Sequence, residues 1–90
     1  MGAVAERITS KLTQRFSPSK LDVSDDSDRH QGHAGHREGG ESHFNLVIES
    51  AVFQGLSRVQ RQRLINETLA AELAGPIHAL SIKALAPGEV

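Results

Sequence analysis

The feature that most limits how this chain can fold is a change of hydrophobic period along it. Val4, Ile8, Leu12 and Phe16 recur every four residues, which puts them on one stripe of an amphipathic helix. Arg7, Lys11 and Arg15 recur on a neighbouring stripe, read as a solvated basic face. Ser17-Pro18 should end this helix, because the residue before a proline avoids the helical region. The period then drops to two. Leu21 and Val23 alternate with Asp22 and Ser24, and later Phe44, Leu46 and Ile48 alternate with His43, Asn45 and Glu49, so each run predicts a strand with one buried face. After a turn at Gln54-Gly55-Leu56, Ser57 and Gln60 have the spacing of a capping box. A second helix follows through Arg61, Leu64, Ile65, Leu69 and Leu73 and stops at Gly75-Pro76. Ile77 to Leu85 predicts a third strand, with Leu80 and Ile82 on one face and Ser81 and Lys83 on the other.

The order helix, strand, strand, helix, strand predicts an α+β domain. The first two strands should pair antiparallel as a hairpin. The helical crossover between the second and third strands favours parallel pairing with a right-handed connection. The result is a three-stranded mixed sheet with both helices packed on one face. Ninety residues make one domain, 1–90, near the lower size limit for an adequate core. A short disordered tail is expected over about 86–90.

Between the first two strands lies the densest chemistry. Four of the five histidines fall between His30 and Phe44, and four glycines fall between 32 and 40. Glycine allows the backbone to approach a ligand closely. The loop, about 28–41, should sit at the hairpin tip, and His78 opens the third strand. The chain has no cysteine, so no disulfide, thiolate zinc site or cysteine nucleophile can come from it alone. Its net charge of −1 argues against a general nucleic-acid binder. The longest apolar run is far short of a membrane span, and no secretory h-region is present. A cytoplasmic protein with no membrane association is expected.

Several motifs occur together and in order: Leu21-x-Val23 with Ser27-x-x-His30, Gly40-Glu41-Ser42-His43-Phe44, Phe53-x-Gly55, Arg61-x-Arg63, Glu72-Leu73 and Ile77-His78-Ala79-Leu80. Across residues 4 to 83 the chain resembles the BolA family. The resemblance implies a fold like a class II KH domain. It also implies association with a monothiol glutaredoxin as a heterodimer, sharing a [2Fe-2S] cluster in iron-sulfur delivery or iron regulation, with no enzymatic activity. In that arrangement the glutaredoxin and a glutathione supply thiolates, and nothing is bound tightly by the isolated BolA-like chain. Its own ligands correspond to His78 and, by its distance from Ser27, His30. The tandem H-x-G-H-x-G-H makes His33 a further candidate and His36 a weaker one. His43, inside the Glu-Ser-His-Phe run, reads as a structural or packing residue. Gln62 stands where many relatives have a histidine, so a role for such a histidine is unsupported.

Two other readings use the same residues. His30, His33 and His36 could converge on zinc or another divalent ion, although no helical H-E-x-x-H or phosphate-binding motif accompanies them. The second is a DNA-binding transcriptional regulator, with Arg58, Arg61 and Arg63 at the start of the second helix contacting phosphates. Three Phe and no Trp or Tyr leave little for base stacking.

Overall fold

A computed structural model describes residues 2–25 and 43–89. Its elements run α1 (Ala3–Phe16), β1 (Lys20–Asp25), β2 (His43–Glu49), a short 3-10 turn (Ala51–Phe53), α2 (Arg58–Thr68), α3 (Ala70–Ala74) and β3 (Ala79–Leu85). The sheet order is β1-β2-β3, with β1 antiparallel and β3 parallel to the central β2. This is the mixed α+β arrangement that the hydrophobic periods predict. Among the described residues, no helix is long and apolar enough to cross a membrane.

Alternation along β2 organises the layers. Phe44, Leu46 and Ile48 are buried while the residues between them are half-exposed. Their partners on the flanking strands, Leu21 and Val23 on one side and Leu80, Ile82 and Ala84 on the other, share the inward face. Val4, Ile8, Leu12 and Phe16 of α1 and Ile65 and Leu69 of the second helical segment complete the core. Phe53 joins them fully buried, its ring 5.1 Å from that of Phe16. Ser17 closes α1 in the left-handed conformation, with its N–H donating to the Thr13 carbonyl, so the helix stops where Ser17-Pro18 predicts.

Four local features depart from the sequence expectation. The second helix breaks at Leu69, whose backbone leaves helical geometry. The Thr68 hydroxyl, one residue before the break, donates to the Leu64 carbonyl at 2.8 Å, a back-bond that bends helices. β3 begins at Ala79, not Ile77, because Ile77 is buried beneath α3 with its N–H donating to the Glu72 carbonyl at 3.0 Å. The basic stripe of α1 is not simply solvated. Lys11 and Arg7 reach the buried Glu72 carboxylate at 2.8 and 3.6 Å. Finally, the segment after β3 is no loose tail through position 89: Ala86 is buried, and Glu89 is anchored to Arg61 by paired hydrogen bonds.

Candidate functional site

The parallel pairing of β2 and β3 starts both strands at the same end of the sheet, with His43 opposite Ala79. Phe44 buries its ring inward opposite Leu80, and pleating therefore turns His43 to the other face. Ile77, held under α3, fixes the chain just before His78. The result is a pair of imidazoles with ring centroids 6.4 Å apart and planes inclined by 26°. His78 is exposed and His43 half-buried.

The first strand ends at this same edge, since Asp25 pairs with Phe44. The described strands β1 and β2 therefore end and begin, at Asp25 and His43, at the sheet end that also holds His78. His30, His33 and His36 themselves lie outside the described residues. Among the described residues no group of three or more His, Asp or Glu converges as a metal site. His43, assigned only a packing role from sequence, thus belongs to the candidate site. The signal for it was the predicted parallel pairing of the second and third strands, whose register sets His43 opposite Ala79, next to His78.

The three arginines of the nucleic-acid reading behave differently from one another. Arg58 and Arg63 are exposed, whereas the Arg61 side chain is only 12% exposed. Its Nε donates to the Leu56 carbonyl at 3.1 Å, and its Nη1 donates to the Ala84 carbonyl at 2.9 Å. The two Nη atoms also clasp Glu89 at 2.6 and 2.9 Å, the bidentate geometry that makes arginine–carboxylate pairs strong. Arg61 begins the 61-65-69 stripe that buries Ile65 and Leu69, which explains its inward direction. Arg58 and Arg61, with Lys83, line a groove of about 540 Å³ between α2 and β3. Arg63 does not line it.

The Arg61 guanidinium, helped by the Ala86 N–H, holds the Glu89 carboxyl at about 2, against an ordinary value near 4.3. Because the folded value is depressed, the clasp contributes fully above the ordinary range and is lost as pH falls towards about 2. A carboxyl-carbon NMR titration of Glu89 should show that low midpoint in the wild type. In Arg61→Gln it should rise towards the ordinary carboxylate range, held partly down by the remaining Ala86 N–H, and an unchanged midpoint would exclude the clasp.

Comparison with known proteins identifies relatives of the whole arrangement. The chain is 47% identical over its full length to SufE-like protein 1 of Arabidopsis thaliana, and spans 25% of that protein. The BolA domain of that relative superposes with a TM-score of 0.87, covering 100% of this chain and 99% of the domain. Mouse BolA-like protein 1 is 42% identical across 98% of this chain and 61% of its own length. A Vibrio cholerae relative, the DNA-binding transcriptional regulator BolA, is 44% identical across 88% of this chain and 71% of its own length. The family model described as BolA-like protein matches residues 12–89, the span from the middle of α1 through the Arg61–Glu89 clasp. On that match and the shared fold, the chain belongs to the BolA-like protein family.

Proposed function

We propose that this chain is an adaptor in iron-sulfur trafficking or iron regulation that binds a monothiol glutaredoxin and shares a [2Fe-2S] cluster with it. His78 supplies one ligand and His30 or His33 the second; His36 is a weaker candidate. The observation that carries this reading is the exposed His78 at the sheet end that also holds Asp25 and His43. Family membership supports it. So does the lack of cysteine, which leaves thiolates to the glutaredoxin and its glutathione. A cluster held partly by imidazole carries less negative charge and a higher reduction potential than one held by thiolates alone. The chain's own work is to present imidazoles at a strand entrance, in a compartment taken to be the cytoplasm.

The test is visible absorption and circular dichroism of the chain reconstituted with a monothiol glutaredoxin, glutathione, iron and sulfide. The mixed complex should show a spectrum distinct from that of the glutaredoxin homodimer. His78→Ala should abolish the difference, and His30→Ala and His33→Ala should identify the second ligand. A wild-type spectrum identical to the homodimer's would overturn the reading. DNA binding is the second reading, favoured by the name of the Vibrio relative. The commitment of Arg61 to Glu89, Leu56 and Ala84 leaves it Arg58 and Arg63 as phosphate contacts.

A further inference from the structure

The Arg61 clasp is built in a way that a simple structural tie does not need. Its guanidinium is oriented without Glu89, because Nε donates to the Leu56 carbonyl and Nη1 to the Ala84 carbonyl. The turn that carries Glu89 is likewise held without its side chain: Ala86 is buried, and the Glu89 N–H donates to the Ala86 carbonyl at 3.0 Å. The Glu89 carboxylate is therefore a separable part. It is 43% exposed, whereas the arginine it covers is 12% exposed, so water reaches the anion more readily than the cation. Taking the carboxylate away leaves a fixed fork of N–H donors, a preorganised seat for an oxyanion.

Charge narrows what can take that seat. Arg61 lines the groove between α2 and β3 together with Arg58 and Lys83, and no acidic side chain is among the lining residues. Glu89 neutralises Arg61 and leaves the other two cations unmatched within the groove. A second monocarboxylate gains little over Glu89, since a tethered group competes at an effective concentration on the order of millimolar. A phosphate monoester carries about −1.5 to −2 charge at neutral pH and three acceptor oxygens, so it matches the fork and the flanking cations together. Leu56, Ile82 and Leu85 line the same groove and offer apolar contacts to the organic part of an ester. The volume of the groove falls in the range of small-molecule sites, about 300–1,000 Å³.

We propose that Arg58, Arg61 and Lys83 form a binding site for a small phosphate monoester with an apolar organic part, and that Glu89 is its intramolecular occupant, displaced when the ester binds. The site uses none of the histidines and is independent of the shared-cluster reading. It gives the segment after β3 a gating role in addition to its anchoring one.

The experiment titrates phenyl phosphate into the free chain at neutral pH and low salt, followed by the ¹⁵N shift of Arg61 Nε and the backbone amide shifts of residues 82–85. Binding to the wild type should be weak, and Glu89→Ala should tighten it by at least about tenfold as the tethered competitor is lost. Adding Arg61→Gln to Glu89→Ala should remove that gain. Arg58→Gln and Lys83→Gln, introduced together into Glu89→Ala, should weaken binding again, and phenol should not bind to any of these chains. Should Glu89→Ala fail to fold, Glu89→Gln, which removes the charge and keeps the shape, should show a gain in the same direction. Equal affinities in the wild type and the Glu89 variants, or a gain that survives Arg61→Gln, overturn the proposal. A gain seen with a duplex oligonucleotide lacking terminal phosphates but not with phenyl phosphate overturns the ligand class and returns the groove to the nucleic-acid reading.

Discussion

Phe53→Ala should lower the stability of the domain by about 3–5 kcal/mol, a large part of the roughly 5–15 kcal/mol that holds a small domain together. Phe53 is fully buried, although it sits in a single 3-10 turn and not in a helix or strand. Its ring leans on Phe16 at the end of α1. The turn that carries it is held by the Ser50 hydroxyl, which accepts from the Val52 N–H and donates to the Phe16 carbonyl. Truncation therefore removes apolar transfer energy and leaves a cavity that this braced backbone cannot collapse to fill. Urea unfolding should show a midpoint reduced by roughly 2 M for a typical slope in a protein of this size. Phe53→Leu should cost less than half as much. Equal losses in the two variants would mean that the ring is not packed as described.

Lys11→Met should cost about 2 kcal/mol at neutral pH and progressively less in acid. Glu72 is 4% exposed, and its carboxylate meets Lys11 at 2.8 Å and Arg7 at 3.6 Å. Removing one partner of a buried pair typically costs 3–5 kcal/mol. The figure is set lower because Lys11 is 38% exposed, where solvent screens the pair, and because Arg7 remains. Burial pushes the Glu72 carboxyl up, but the Lys11 hydrogen bond and the neighbouring charges outweigh it, so the net direction is down. A depressed folded value means that the ion pair stabilises the domain above the unfolded carboxyl value, about 4.3, and that this contribution fades as pH falls below it. The difference between wild type and Lys11→Met, measured by urea unfolding at several pH values, should close in acid. A gap independent of pH would mean that the Lys11–Glu72 ion pair is not the source of the loss.

Much of this architecture was legible because burial on one face of a strand or helix imposes a period. Phe44, Leu46 and Ile48 could bury together only with period two, and Val4, Ile8, Leu12 and Phe16 only with helical spacing. Parallel pairing of β2 and β3 followed from the crossover between them. What escaped the pattern were polar groups whose partners are distant in sequence. Lys11 and Arg7 look like a solvated stripe until Glu72 is placed beneath α1, and Arg61 looks like a phosphate contact until Glu89 folds back onto it. The break at Leu69 has the same character, since a hydroxyl–carbonyl bond at Thr68 leaves no trace in the hydrophobic spacing. At the candidate site, His78 was legible through its motif and strand entrance. The place of His43 beside it was a matter of register, and reading it required carrying the predicted parallel pairing through to individual residues.

The parallel β2–β3 ladder also sets when the histidine pair can exist during folding. An antiparallel hairpin such as β1–β2 is built from a chain reversal, but pairing β3 with β2 closes the whole crossover that carries α2 and α3. Contacts between segments so far apart in sequence carry a loop-closure cost and slow the folding rate. His43 and His78 therefore meet only once the crossover has closed. A nascent or partly folded chain presents separated imidazoles, and the paired arrangement is itself a marker of completed tertiary structure.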